Sequence, residues 1–110
     1  MVLPYEPSWS KPVYHLYVVR TGDRDKLMAF LKEQGIGTGI HYPIPLHLQT
    51  SYRSLHYSEG SFGVVELAAK EIVSLPMYPH LTAEQQKRVL EAMLTINNCQ
   101  TRDEQFAINR

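Results

Sequence analysis

The residues of this sequence best suited to binding chemistry lie in one short stretch, which we call the 41–49 loop. Its hydrogen-bonding side chains are those of His41, Tyr42, His47 and Gln49. Pro43 and Pro45 interrupt regular structure there and restrict the backbone, so we expect a stiff loop. Imidazole, phenol and amide groups on a stiff loop beside apolar residues are typical of a pocket wall. The pattern therefore indicates a surface that binds a ligand or a partner.

These histidines have two other possible roles, metal binding and packing. A metal site would need a third ligand besides His41 and His47, and no carboxylate lies between residues 34 and 58. We therefore predict no metal ion here. Packing with satisfied hydrogen bonds is an ordinary role for a histidine in a folded domain, and the sequence does not separate that role from ligand binding.

The remaining motifs do not indicate catalysis. Ser8 and Lys11 have the spacing of Ser-x-x-Lys acyl-transfer enzymes, but Pro12 disfavours the helix that such a pair requires. The alternate glycines of residues 35–39 lie after a predicted helix and before a strand, the reverse of a phosphate-binding loop. The carboxylates are expected on solvated helix faces, and Cys99 has no activating neighbour. We predict no catalytic residue in this chain.

The periodicity of the apolar residues predicts an α/β (α+β) fold, a two-layer sandwich of a small three-stranded sheet with about three helices. Strands are expected over 13–20, 37–41 and 72–75. Helices are expected over 24–34 and 62–71, and a third from a capping box at Thr82 and Gln85 to 96–98. Gly35 is expected to end the first helix. The helix residues expected to be buried are Leu27, Met28, Phe30 and Leu31; Phe62, Val65, Ala69 and Ile72; and Val89, Leu90, Met93 and Leu94.

The composition predicts one folded, soluble domain. The chain has 110 residues, 44% of them hydrophobic, and its 11 basic and 11 acidic residues cancel. No net field favours nucleic acid or an anionic membrane, and no apolar run approaches the roughly 18 residues of a membrane span. The single cysteine excludes a disulfide framework within the chain, so the cytoplasm is the expected location. We expect an extended N-terminal segment (1–12), a folded domain (13–96) and a polar tail, disordered or loosely helical (97–110).

Three segments, in this order, resemble one protein family. They are residues 15–20 (HLYVVR), 30–49 (FLKEQGIGTGIHYPIPLHLQ) and 69–79 (AKEIVSLPMYP). From about Tyr5 to Leu94 the chain resembles the C-terminal small domain of the DegT/StrS family, the pyridoxal-phosphate-dependent nucleotide-sugar aminotransferases. The resemblance implies a fold-type-I enzyme, usually a homodimer. Such enzymes move an amino group from glutamate or glutamine onto the keto group of a nucleotide-linked sugar, and the products enter polysaccharides and antibiotics.

The resemblance also implies which parts of the site this chain would contribute. In the family, the stretches that match residues 41–43 and 47–49 lie at the mouth of the active site, so His41, Tyr42, His47 and Gln49 are the implied substrate-binding residues. The Schiff-base lysine and the cofactor-binding groups belong to the large domain, and no lysine here matches that lysine. We therefore expect the chain to correspond to about the last quarter of an enzyme. By itself it should bind no pyridoxal phosphate and be catalytically incomplete.

One position departs from the family pattern, and the whole chain has one alternative role. Gly63 stands where the family often has proline, which should loosen that helix start by up to about 1 kcal/mol. The alternative is a free-standing, non-catalytic binding or partner-interaction domain derived from the family. A fragment cut from a larger enzyme should expose an apolar face where the missing large domain docked, and self-association would cover it. The residues expected on that face are Tyr5, Trp9, Tyr42 and Leu46.

Overall fold

The centre of the fold is an antiparallel pair of strands, β1 (Tyr17–Arg20) and β2 (Ile72–Leu75). Val19 pairs with Val73, and both side chains are fully buried. The structure is a computed structural model that describes the backbone of residues 1–108 and the side chains of residues 1–97. Three α-helices accompany the strands: α1 (Arg24–Glu33), α2 (Gly63–Glu71) and α3 (Ala83–Ile108).

The predicted third strand over 37–41 is reduced to a single bridge. Gly39 and Ser74 exchange two backbone hydrogen bonds, of 3.1 and 2.8 Å. The chain then leaves the sheet, because Pro43 and Pro45 cannot continue a ladder. At the opposite edge of the sheet, Val2 forms a similar bridge with Arg20 of β1. A three-stranded sheet was therefore the wrong expectation: the described residues form a two-stranded sheet with one bridged residue at each edge.

The first predicted strand is also shorter than expected, because its backbone is interrupted. Tyr14 has a φ of 48°, in the left-handed region, so extended pairing begins only at Tyr17. The strand over 72–75 was predicted with its observed bounds. This difference shows that β-branched and aromatic composition predicted the strand but did not place its start.

Helix α1 follows its prediction closely. Leu27 and Leu31 are buried, and Met28 and Phe30 are half-buried against the same core. Gly35, at φ 71°, ends the helix: its N–H donates to the carbonyl oxygen of Lys32, and the Ile36 N–H donates to that of Leu31. This pair of bonds is the Schellman arrangement, which favours glycine at this position.

Helix α3 begins as predicted, but the face that it presents to the core is shifted from the predicted one. The Thr82 N–H donates to Gln85 Oε1, and the Gln85 N–H to Thr82 Oγ1, which completes the capping box. Leu90 and Leu94, expected to be buried, are 57% and 53% exposed. Val89 and Met93 pack in the core as expected, half-buried and buried, and buried Ala92 and Ile96 take the places expected for the two leucines.

The end of α3 also differs from its prediction. The helix runs to Ile108 and does not stop at 96–98. The side chains of residues 98–110, including Cys99, lie outside the described side chains, so our expectations for them stay predictions. None of the described helices is long and apolar enough to cross a membrane.

Helix α2 leads directly into β2 and is tied to β1 by polar contacts. Of its predicted stripe, Ala69 is buried and Ile72 half-buried, whereas Phe62 and Val65 are exposed. The reason is that the helix turns Glu66, not Val65, toward the protein interior. Arg20 forms hydrogen bonds of 2.7 and 3.0 Å with the Glu71 carboxylate, where α2 ends.

Candidate functional site

The 41–49 loop begins at His41, which is fastened to the buried strand β2. Its Nδ1 atom lies 2.9 Å from the hydroxyl oxygen of Ser74, and Ser74 is itself buried. The imidazole also lies directly over Gly39: a Cβ on Gly39 would be 2.8 Å from His41 Cε1. Glycine at position 39 therefore makes room for this ring. The sequence did not predict Ser74 as a partner of His41.

Tyr42 is strongly exposed, with 72% of its surface accessible. Its ring meets that of His41 edge-on, with the ring centroids 5.5 Å apart. The peptide bond between these two residues is cis. The phenol is thus presented to solvent beside an imidazole whose Nδ1 is already engaged, an arrangement that can bind hydroxyl or phosphate oxygens.

The middle of the loop is held by bonds within the loop itself. The amide nitrogen Nε2 of Gln49 donates to the carbonyl oxygen of Ile44 at 3.3 Å. After Pro45 the chain enters a short 3-10 helix, Leu46–Leu48, and the Leu48 N–H donates to the Pro45 carbonyl oxygen. Gln49 therefore bridges the proline turn, as well as being a predicted ligand residue.

His47 lies inside the protein. Its side chain is 8% exposed, and its Nε2 lies 2.9 Å from Oε1 of Glu66. The ring also packs edge-on against Phe62, with the centroids 4.9 Å apart, and Phe62 in turn contacts Tyr57. In the described residues His47 is therefore a packed histidine with a satisfied hydrogen bond, the ordinary role that the sequence had left open.

Glu66 is the residue of this region that our sequence analysis missed. It was expected on a solvated helix face, yet it is buried. Its carboxylate accepts the N–H groups of Gly60, at 2.8 and 3.0 Å, and of Phe62, at 3.1 Å. These hydrogen bonds hold the pKa of Glu66 below its usual value. The largest effect comes from the Gly60 N–H, and smaller ones come from the His47 ring and the Phe62 N–H. One signal was available: Glu66 is a lone acidic residue within the otherwise apolar run 62–69.

The apolar residues predicted for a docking face are all exposed. Tyr5, Trp9, Tyr42 and Leu46 each present more than half of their surface to solvent. Helix α2 adds Val64 and Leu67, which the prediction did not include. Exposure of this many large apolar side chains is unusual for the surface of a small soluble domain and is typical of an interaction surface.

A separate apolar depression, which we call the α3 groove, lies away from the 41–49 loop. It has a volume of about 830 Å³ and runs between the first residues of the chain, the segment after β2 and α3. Leu90 and Leu94, the residues that α3 turns away from the core, line it together with Met77 and Tyr78. No residue of the 41–49 loop contributes to it. Its size therefore does not make it the candidate site, because the hydrogen-bonding groups lie elsewhere.

The described residues include neither an enclosed lysine nor a cluster of metal-binding side chains. A Schiff-base lysine must face an enclosed site, whereas Lys11, Lys26, Lys32, Lys70 and Lys87 are all exposed. No group of three or more histidine, cysteine, aspartate or glutamate side chains that could hold a metal ion occurs in the described part of the chain. The groups that the 41–49 loop presents at its surface are hydrogen-bonding and aromatic side chains.

Comparison with known proteins identifies the family to which this fold and this loop belong. The profile of the DegT/DnrJ/EryC1/StrS aminotransferase family matches residues 1–94. The chain belongs to this family. The family uses pyridoxal phosphate as its cofactor.

Three similar proteins illustrate this membership. A "pleiotropic regulatory protein" of Geobacillus stearothermophilus is 52% identical over 83% of this chain and 24% of its own length. The dTDP-3-amino-3,4,6-trideoxy-alpha-D-glucose transaminase of Streptomyces venezuelae is 42% identical over 83% of this chain and 24% of its own length. Among solved structures, S. venezuelae DesV in complex with a ketimine intermediate superposes with a TM-score of 0.79 at 41% identity, over 84% of this chain and 25% of its own. The chain thus spans about a quarter of the length of these relatives.

Proposed function

We propose that this chain is the C-terminal portion of a pyridoxal-phosphate-dependent sugar aminotransferase that acts on a nucleotide-linked keto-sugar, with glutamate or glutamine as the amino donor. Family membership over residues 1–94 and the transaminase names of several relatives support this proposal. Because the chain spans about a quarter of those relatives and its lysines are exposed, it is catalytically incomplete by itself. The similarities do not favour the alternative of a free-standing binding domain.

The role of the 41–49 loop in this function is to form one wall of the sugar-nucleotide site. Tyr42, exposed on a loop that His41 fastens to Ser74, is the observation that carries this assignment. The Tyr42 hydroxyl and the Nε2 of His41 contact sugar hydroxyls or phosphate oxygens. Gln49 offers its Oε1 as an acceptor, and His47 forms the inner part of the wall. A loop held at its base loses little conformational freedom on binding, which favours affinity.

The rest of the enzyme supplies the chemistry that this chain lacks. The cofactor contributes carbanion stabilisation when it is bound, and its lysine and phosphate-binding groups belong to the large domain. The exposed apolar residues Trp9, Leu46 and Val64 meet that domain or a second subunit. We expect a homodimer in the cytoplasm.

An NMR titration tests the proposed site directly. The five histidines of the chain give separate ring signals, and dTDP-glucose serves as the probe. We expect the His41 ring signals and the Tyr42 amide to shift, while those of His15, His56 and His80, all exposed elsewhere, stay in place. Uniform small shifts, or none at millimolar probe concentration, would contradict the assignment of this loop as a sugar-nucleotide wall.

A further inference from the structure

Glu66 is the one acidic side chain that is buried among the described residues, although it lies on a short surface helix. A carboxylate withdrawn from water is strongly disfavoured unless hydrogen-bond donors replace the water. Its position therefore requires an explanation beyond the packing of α2, whose neighbouring residues Val65 and Leu67 are exposed.

The donors that surround Glu66 come from two different segments. Gly60 and Phe62 contribute backbone N–H groups from the turn before α2, and His47 contributes Nε2 from the 41–49 loop. The Phe62 bond also satisfies a backbone N–H at the start of α2, next to Gly63. One carboxylate thus joins the loop, the turn and the helix.

The same contact determines the state of the His47 ring. An ionised carboxylate only accepts hydrogen bonds, so the Nε2 atom 2.9 Å away must carry the proton. Phe62 packs against the ring at an angle of 68°, which restricts its rotation. The ring of His47 is therefore held in one orientation, with a proton on Nε2.

The anchoring of His47 bears on Tyr42 because the chain between them has little freedom. Pro43 and Pro45 fix two of the intervening φ angles, and at the other end His41 is bonded to Ser74. A segment that is stiff and fastened at both ends presents its exposed side chain in a defined place.

We propose that Glu66 is a positioning residue for the 41–49 loop: by holding His47 it fixes the placement of Tyr42 and His41, without contacting the substrate. This inference rests on the proposed function in that the loop is taken to bind the sugar-nucleotide. Placement of binding groups by a supporting set of hydrogen bonds is a general requirement of accurate sites.

The test compares the full chain with Glu66→Gln, Glu66→Ala and the control Glu33→Gln, which changes an exposed residue of α1. Ring ¹⁵N shifts report the His47 tautomer, and amide hydrogen exchange reports the order of His41, Tyr42 and Ile44. The amides of Val19 and Val73, in the central strands, show whether each variant is folded. Glu66→Gln keeps the shape of the side chain, so it remains informative if Glu66→Ala does not fold.

We expect Glu66→Gln to change the His47 tautomer populations, to raise exchange of the loop amides by about tenfold, and to weaken dTDP-glucose binding by about tenfold, with the strand amides unchanged. Glu33→Gln should change none of these. An unaltered loop in a folded Glu66→Gln variant would overturn the inference, as would a loosened loop with undiminished affinity. Should the unmodified chain not bind dTDP-glucose, the proposed function fails, whereas the tautomer and exchange measurements still decide whether Glu66 orders the loop.

Discussion

The Nδ1 atom of His41 lies 2.9 Å from the hydroxyl oxygen of Ser74, a contact that fastens an exposed loop to a buried strand. Ser74 also exchanges two backbone hydrogen bonds with Gly39, the residue over which the His41 ring lies. The side chain and the backbone of one serine therefore both determine where the 41–49 loop begins.

Replacement of this serine should release the imidazole. In Ser74→Ala the hydroxyl is lost while the backbone bridge remains, so we expect a loss of about 1 kcal/mol in the free energy of unfolding. The ring ¹⁵N shifts of His41 should move toward those of a solvated histidine. Urea unfolding and NMR measure the two effects. Ser51→Ala, at an exposed position, is the matched control. Unchanged His41 shifts in Ser74→Ala would show that the hydrogen bond does not form in solution.

The space above Gly39 gives a second prediction. A Cβ at position 39 would lie 2.8 Å from Cε1 of His41, so Gly39→Ala should displace the ring and break its bond to Ser74. Because the ring can rotate away, the change in unfolding free energy should stay within about 1 kcal/mol. Gly37→Ala is the control, since nothing lies within 4 Å of its added methyl group. If the two variants have the same His41 spectrum, the ring does not lie over Gly39.

The pH dependence of stability should carry the signature of Glu66. Its pKa is lowered in the folded chain from the usual 4.5, mainly by the Gly60 N–H. The ionised carboxylate therefore stabilises the folded chain in full above pH 4.5. This contribution to the free energy of unfolding is lost as the pH falls through the lowered pKa of the folded state. Urea midpoints measured between roughly pH 6 and pH 3 should fall less steeply for Glu66→Gln than for Glu33→Gln. Parallel curves for the two variants would contradict the assignment.

Substitution of Leu31 in α1 and of Leu90 in α3 tests which face of each helix forms the core. Leu31 is fully buried, so Leu31→Ala should cost about 2–5 kcal/mol of unfolding free energy. Leu90 was expected from the sequence to be buried but is exposed in the α3 groove, so Leu90→Ala should change stability by no more than about 0.5 kcal/mol. Chemical denaturation measures both. A large loss of unfolding free energy in Leu90→Ala would show that Leu90 is buried, as the sequence predicted.

Self-association of the isolated chain is the remaining prediction. Trp9 and Leu46 are exposed apolar residues, and contact between copies would remove them from water. We expect light scattering to show a mass above that of the 12.7 kDa monomer as concentration rises. Trp9→Ser combined with Leu46→Ser should lower that mass, whereas His80→Ser, at an exposed polar position, should not. A strictly monomeric chain at high concentration would refute the prediction.

Local sequence patterns predicted several features of this fold. The Thr82–Gln85 capping box, the Gly35 helix end, the Leu27 and Leu31 stripe and the β2 bounds were all predicted. Each depends on residues a few positions apart, so the short-range physics of propensity and capping determines it. The family resemblance and the 41–49 loop were likewise evident from consecutive residues.

Tertiary contacts decided what those patterns left open. The partners of the two loop histidines lie 33 and 19 residues away in sequence, at Ser74 and Glu66, and no periodicity relates them. The face that α3 buries depends on where α1 and the strands lie, and so Ile96 is buried while Leu94 is exposed. Sequence alone therefore predicted the three helices and the two paired strands, but not that residues 37–41 form only a bridge. The packing of distant segments decided which polar atoms form hydrogen bonds. It therefore also decided which side of each segment faces water.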